Sequence, residues 1–265
     1  MVGIIDGVMS QVHRLDLGFK SLEGPSAEKV NIFQIYLNDS NDQTLSPYLQ
    51  MATGLIDQGY PNANHVIYNK ETLRVFIAEN FAADVLGAYD GLLPFSYKAD
   101  LGRFCLLYKF GGWYFDISAR LSVPINVKKN VEMLAFRDVQ KHCLSSWGCA
   151  TTVLYSKPGN PVLMTAIEQI VRNVAEKYYG ITAVCPTGPN VLGAALALHR
   201  TNRHNVFGDA VDLTSEQKIK NRAFVLPDGN IFAFSKPHSA ANFKKLAKRG
   251  VNDYKMMWIK RKIYA

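Results

Sequence analysis

The stretch Tyr97-Lys98-Ala99-Asp100-Leu101-Gly102-Arg103-Phe104-Cys105-Leu106-Leu107-Tyr108-Lys109-Phe110-Gly111-Gly112-Trp113-Tyr114-Phe115-Asp116-Ile117-Ser118 packs three structural events into one short run. From Tyr97 to Phe110 an apolar stripe of Leu101, Phe104, Leu107 and Tyr108 recurs at helical spacing, and Asp100 and Arg103 stand three apart, where a helix projects both from one face. Gly111-Gly112 then breaks the helix, because a sharp turn into a buried strand commonly needs a positive φ that glycine adopts without a Cβ clash. Trp113-Tyr114-Phe115 reads as an aromatic strand that delivers the Asp116 carboxylate at its far end. An isolated Asp–Arg pair is by default a solvated pair that contributes little. The strand changes that reading, since α/β folds place their ligands beyond the carboxyl ends of strands. A carboxylate there binds ribose hydroxyls directly or reaches a divalent metal held on a diphosphate.

The rest of the chain supports an α/β class. Upstream, Ile32-Phe33-Gln34-Ile35-Tyr36-Leu37 is a first core strand, closed by the polar cluster Asn38 to Gln43. A helix over Leu45 to Gln58 leads through Gly59-Tyr60-Pro61 to a second strand, His65 to Tyr68, and another helix starts near Lys70. Such alternation predicts a parallel or mostly parallel sheet covered by helices. No Gly-x-Gly-x-x-Gly follows the first strand, which argues against a dinucleotide-binding version. Further helices are expected at Ala83 to Tyr89, Pro161 to Tyr178 and from Gly188-Pro189-Asn190 onward, and a strand at Ala150 to Tyr155. Pro227-Asp228-Gly229 is a turn between strands Ala223 to Leu226 and Ile231 to Phe234. Residues 1–29, with Ile4, Ile5, Val8, Met9, Val12 and Leu15 followed by Gly24-Pro25-Ser26, read as a short helix and a break. They form an N-terminal extension to a single domain over 30–265.

The chain has 265 residues, 48% apolar and 20% charged, as an ordinary globular protein does. No run of eighteen apolar residues occurs and Met1 to Ser10 lacks the features of a signal peptide, so a cytoplasmic location is expected. Cys105, Cys143, Cys149 and Cys185 are expected to be free buried thiols, and no second close pair completes a zinc site around His142, Cys143 and Cys149. From Lys236 to Ala265 seven Lys and two Arg face only Asp253, which accounts for the whole net charge of +8. With Phe243, Met256, Met257, Trp258, Ile259 and Tyr264 among its bases, this segment suits peripheral contact at an inner-membrane surface, a phosphorylated substrate, or plain solvation. Nucleic acid is not expected as a partner, since no zinc finger, RNA-recognition signature or basic heptad region occurs. Nor is there a convincing carboxylate pair for glycoside hydrolysis.

The quoted stretch resembles the donor-binding signature of the sugar-binding DXD glycosyltransferases, a family that includes yeast initiating mannosyltransferases and capsule and lipopolysaccharide transferases and is related to clostridial glucosylating toxins. In order and at the family's spacing, Asp100, Arg103, Leu107-Tyr108, Gly111-Gly112, Tyr114 and Asp116 match it. Weaker likeness extends through Asn31 to Leu37, Ser156-Lys157-Pro158-Gly159-Asn160-Pro161 and Thr187-Gly188-Pro189-Asn190. The resemblance implies a glycosyltransferase A-type fold, a Rossmann-like mixed sheet flanked by helices. It implies a retaining hexosyltransferase that uses a nucleotide sugar, expected to be a UDP-sugar, with Mn²⁺ or Mg²⁺, and a glycan or lipid-linked acceptor as in capsule or lipopolysaccharide synthesis. Asp100 and Arg103 would hold hydroxyls of the donor sugar and, with Asp116, form the catalytic set. Gln34 and Tyr36 would border the base, Gly112, Tyr114 and Ser118 would complete the donor site, and Asp116, Ser118 and His238 would face the metal.

One position departs from the family pattern. Ser118 stands where the family has a metal-coordinating Asp, and a neutral hydroxyl is a weak ligand for a hard cation. Three consequences stay open: a metal held by Asp116, the diphosphate, water and a C-terminal ligand such as His238, with Asn242 assisting; a cation such as Lys236 or Arg120 in the metal's place; or loss of transfer. The last would leave a silent nucleotide-sugar-binding protein. A toxin-like transferase acting on a protein would share the donor site and differ in acceptor.

Overall fold

The computed structural model describes residues 17–39, 44–200, 204–213, 222–235 and 253–265. The helix expected between Ile4 and Leu15, and Lys236, His238 and Asn242, lie outside the described residues.

Strands β1 (Phe19–Ser21) and β2 (Asn31–Ile35) open the described chain, followed by helix α1 (Pro47–Gly59), strand β3 (Asn64–Tyr68) and helices α2 (Lys70–Asn80), α3 (Ala83–Gly91) and α4 (Phe95–Phe110). Then come β4 (Gly112–Phe115), β5 (Arg120–Leu121), β6 (Ile125–Val127), β7 (Met133–Arg137), the single turn α5 (Gln140–Cys143) and β8 (Cys149–Ser156). Helices α6 (Pro161–Ala175) and α7 (Pro189–Leu198), strands β9 (Asn205–Asp212), β10 (Arg222–Val225) and β11 (Ile231–Phe234), and helix α8 (Tyr254–Ile259) complete it. Local chemistry explains several of the ends. Ser46 caps α1 through its hydroxyl, with Pro47 in the first turn, and Asn69 and Thr72 form a reciprocal capping box on α2. Asn160 caps α6 and is followed by Pro161.

Among the described residues the main sheet has the order β3-β2-β4-β8-β7-β9-β10-β11-β5, and β1 pairs with β6 in a second, small ribbon. The sheet is mixed. Pairs β3–β2, β2–β4 and β7–β9 are parallel and the rest antiparallel, so the expectation of a mostly parallel sheet gives way to the mixed one. The reason is connection length. Parallel neighbours need a crossover, which α1 supplies between β2 and β3, whereas β10 turns directly into β11 and only the single turn α5 separates β7 from β8.

Side chains alternate across this sheet and fill two cores. Tyr114, Phe33 and Ala135 face the side covered by α2, α3, α4, α6 and α7, while Trp113, Phe115, Ile32 and Phe136 face the other side with Ile56 of α1 and Phe19 of β1. Helix α4 has no solvated flank over most of its length. Leu101, Gly102, Phe104, Cys105, Leu106 and Leu107 are all buried, where the sequence suggested a single stripe, because α4 is enclosed by β2, β4 and β8, by helices α2, α3 and α6, and by α8. All four cysteines are buried free thiols. No helix among the described residues is long and apolar enough to cross a membrane.

Candidate functional site

Strands β2, β3 and β4 are parallel, so their carboxyl ends open on one edge of the sheet. Tyr36 follows β2 there, Asn69 follows β3 and Asp116 follows β4. Tyr36, Leu45, Ile67 and Asn69 line a cavity of about 200 Å³ at this edge. This is the edge where open α/β sheets take their ligands.

The glycine pair sets the approach. Gly111 ends α4 with φ +64° and Gly112 starts β4 with φ +104°. A Cβ on Gly112 would lie 2.2 Å from the Asn31 carbonyl oxygen, so the close pairing of β4 with β2 requires glycine there. Gly112 therefore stands at the amino end of β4, away from Asp116, and the structure does not bring it to the site.

Arg103 is the hub. Only 4% exposed, it donates from Nη1 to Asp116 Oδ1 at 3.0 Å, and its Nη2 lies 3.3 Å from Asp100 Oδ1. Nε donates to the Ala99 carbonyl at 3.1 Å, Nη1 also donates to the Thr151 carbonyl, and the guanidinium lies 4.4 Å from the Tyr114 ring centre. Asp100 is held from the other side by two hydroxyls, Thr151 Oγ1 at 3.2 Å on Oδ1 and Thr187 Oγ1 at 2.8 Å on Oδ2. A Cβ on Gly188 would come within 2.9 Å of Asp100 Oδ2, so the turn before α7 closes directly over this carboxylate.

Tyr114 and Asp116, two apart at the end of the strand, point to the α4 side together, and the Tyr114 hydroxyl donates to Asp116 Oδ1 at 2.9 Å. The Asp116 amide donates to the Thr152 carbonyl at 2.7 Å, which fixes the chain as it leaves the sheet. Both side-chain bonds to Asp116 use Oδ1, and its side chain is 34% exposed, so Oδ2 is the carboxylate oxygen turned outward.

The electrostatics follow from burial. Enclosure pushes the Asp100 carboxyl above its ordinary range, opposed by Arg103 and by the Thr187 and Thr151 hydroxyls. Burial alone would weaken the charge on Arg103, but Tyr114, Asp116 and Asp100 around it hold it firmly protonated. The result is one fixed cation between two carboxylates, with a single carboxylate edge facing out.

The remaining expected residues divide. Tyr36 is on the open edge. Gln34 is completely buried, and its Nε2 donates to the Asp116 carbonyl at 3.3 Å, so it stands behind the site. Ser118 contributes its backbone carbonyl to the Tyr48 hydroxyl at 3.0 Å. Arg120 is close by, its guanidinium 5.3 Å from the Phe234 ring centre and its Nε buried with no hydrogen-bond partner among the described residues. Thr151, Thr187, Gly188 and His65 had no assigned role in the sequence. Thr187-Gly188 lay in a quoted motif, but nothing in its spacing points to Asp100, 87 positions away.

For a divalent metal the fit is to one strong ligand. Asp116 Oδ2 is a suitable hard oxygen, Ser118 adds no charge, and no cluster of three His, Cys, Asp or Glu side chains exists among the described residues. Such a set suits a cation carried mainly by a diphosphate and water, as Mg²⁺ commonly is.

Residues 48–134 match the family described as "Glycosyltransferase sugar-binding region containing DXD motif", which covers α1 to the start of β7 and contains Asp100, Arg103 and Asp116. The chain is 24% identical over 131 residues to inositol phosphoceramide mannosyltransferase 3 of Schizosaccharomyces pombe, covering 49% of this chain and 35% of that protein. It thus spans about a third of that relative's length. Among solved structures it is similar to "PaToxG Glycosyltransferase", with a TM-score of 0.48 and 14% identity over 64% of this chain and 69% of the other. A second, titled as a transferase mutant, gives a TM-score of 0.40 and 12% identity over 69% and 88%. Residues 48–134, about a third of the chain, thus carry the likeness to a glycosyltransferase sugar-binding region.

Proposed function

We propose that the chain is a retaining hexosyltransferase that takes its sugar from a nucleotide-sugar donor, a UDP-sugar in the first instance. The observation that carries the proposal is the buried Arg103 bridging Asp100 and Asp116 at the shared carboxyl edge of β2 and β4. In this reading the base occupies the cavity beside Tyr36 and Asn69, the ribose meets the outward oxygen of Asp116, and the sugar lies beyond Asp116 on the side of the buried Asp100–Arg103 pair. Residues 30–265 act as the catalytic unit and 1–29 as an extension to it. The relative's name, a mannosyltransferase for inositol phosphoceramide, supports a hexose donor and a lipid acceptor; a place in capsule or lipopolysaccharide synthesis belongs to the same proposal on the sequence resemblance alone. A surface for such an acceptor is available where Met256 and Ile259 are exposed among Lys255, Lys260, Arg261 and Lys262, a composition suited to an anionic membrane face.

Transfer breaks the anomeric bond, leaving negative charge on the nucleoside diphosphate and positive character on the sugar ring. The chain's part is to orient. Tyr114 and Arg103 fix Asp116, and the two threonines fix Asp100, so the groups facing the donor need little rearrangement as charge develops. Mn²⁺ or Mg²⁺, when bound at Asp116, supplies positive charge against the diphosphate. Arg120 is the cation of this chain nearest in sequence to Ser118 and carries a buried donor without a partner among the described residues.

The test is release of nucleoside diphosphate from a panel of UDP- and GDP-hexoses with candidate glycan and lipid acceptors, under Mn²⁺, Mg²⁺ or chelator. Metal-stimulated release is expected. Release indifferent to chelator but lost in Arg120→Met assigns the diphosphate charge to Arg120. Ser118 favours a second reading, a binder without turnover, which saturable donor binding with no release across the whole panel would establish.

A further inference from the structure

A line of hydrogen bonds runs from the exposed side of α1 to the backbone of Asp116. Asp57 Oδ1 lies 2.7 Å from His65 Nδ1, His65 Nε2 lies 3.0 Å from Gln34 Oε1, and Gln34 Nε2 donates to the Asp116 carbonyl at 3.3 Å. Thr53 Oγ1 donates to the same Gln34 Oε1 at 3.1 Å. Gln34 is fully buried and the His65 side chain is 11% exposed, while Asp57 is 58% exposed.

Donor and acceptor accounting along this line determines where the protons are. A carbonyl only accepts, so the Gln34 amide must turn its NH₂ to Asp116 and its Oε1 to His65. Oε1 also only accepts, so His65 Nε2 must carry a proton. The Asp57 carboxylate likewise requires a proton on Nδ1. Both ring nitrogens donate along this line only when the ring carries both protons. A neutral ring with its proton kept on Nδ1 by Asp57 would set the Nε2 lone pair against Oε1. The relief available is a flip of the Gln34 amide, which gives its N–H to the ring, leaves Thr53 to turn its hydroxyl and accept, and takes the donor from the Asp116 carbonyl. That carbonyl would keep the Ala119 amide, now at 2.8 Å, so the turn loosens without being freed.

We propose that His65 is a positioning residue for the donor site: its proton decides whether Gln34 holds the Asp116 turn. Asp57 from α1 is the charged group facing the ring, while β2 presents the neutral Gln34 amide and α1 also the Thr53 hydroxyl. Donor affinity is then highest with His65 doubly protonated and falls when the ring gives up a proton. The loss of one hydrogen bond corresponds to about three- to tenfold. The consequence for donor binding rests on the function proposed above; the proton-linked flip does not.

The experiment reads the two separately in the full chain. Long-range ¹H–¹⁵N spectra across the pH range, with no donor present, should show His65 doubly protonated at the acid end. The Gln34 side-chain amide signals should move with the same midpoint, which shifts to lower pH in Asp57→Asn. A His65 that stays neutral from pH 5 upward, or Gln34 signals indifferent to its titration, overturns the inference. UDP-hexose affinity by calorimetry should fall about three- to tenfold toward alkaline pH in the wild type and stay level in His65→Gln, whose side-chain NH₂ donates to Gln34 at every pH. A coupled His65–Gln34 titration with no donor binding at any pH keeps the switch and removes the proposed function. Binding with the same pH profile in wild type and His65→Gln removes the positioning role.

Discussion

Arg103 holds Asp100 and Asp116 at once, so its loss strands a buried carboxylate. Replacement by Met leaves Asp100 enclosed with its two threonines and without its cation, and uncompensated buried charge costs about 3–5 kcal/mol. Arg103→Met is therefore expected to lose that much in a urea melt, and to fold better at acid pH, where Asp100 can protonate. A loss below about 1 kcal/mol, the range of an exposed pair, would return Asp100–Arg103 to the surface-pair reading. The trio itself was legible in the sequence because its members sit within one helix–glycine–strand run, where spacing alone dictates neighbours. The partners that complete it were not. Thr151 and Thr187 reach Asp100 across 51 and 87 positions, and His65 reaches Gln34 across 31, separations for which periodicity carries no information.

The elements that the sequence made legible are those with strong local signals: capped helices such as α1 and α2, and the aromatic strands β2 and β4. The central strands β7 and β9 carry no such signal. Met133 to Phe136 is buried on both faces and shows no alternation, and β9 carries Gly208 and Asp209 in its middle. Helix α6 stops at Ala175, short of the expected Tyr178, and two residues later the backbone turns away through Lys177 at positive φ.

Two predictions belong to elements. Gly112→Ala forces a side chain into the Asn31 carbonyl at φ +104°, so β4 must part from β2. A stability loss of at least about 1–3 kcal/mol is expected from the backbone strain alone. A thermal midpoint equal to the wild type would show that the strands do not meet this closely.

In α4, burial lowers the Lys98 ammonium to about 8, and its Nζ donates to the Tyr89 and Asp90 carbonyls at the end of α3. Between about pH 8 and its ordinary value of 10.5 the unfolded chain binds a proton that the folded chain does not, so this group makes stability rise with pH across that window. In denaturant titrations the wild type should gain relative to Lys98→Met between those limits. Parallel curves would mean that the ammonium stays charged in the fold.

For the whole molecule, the class was readable but the strand order was not. Alternating strands and helices announce an α/β chain, yet nothing local says that β8 pairs with both β4 and β7 or that β5 returns to the far edge beside β11. That order matters for function, because it seats Thr151 and Thr152 of β8 beside the end of β4, where they hold Arg103 and Asp116. The net charge of +8 is all attributable to the last thirty residues, so residues 1–235 are balanced in charge.

The most direct measurement is calorimetric titration of wild type and Asp116→Asn with UDP-hexoses and GDP-hexoses in the presence of Mn²⁺. Asparagine keeps an oxygen for Arg103 and Tyr114 while removing the charge, so the fold should survive with its melting temperature little changed. Affinity for the nucleotide sugar should fall at least about tenfold, the scale expected when one charge-assisted contact is removed. Equal affinity in the two proteins, with the variant folded, would contradict Asp116 as the donor carboxylate and with it the site built around Arg103.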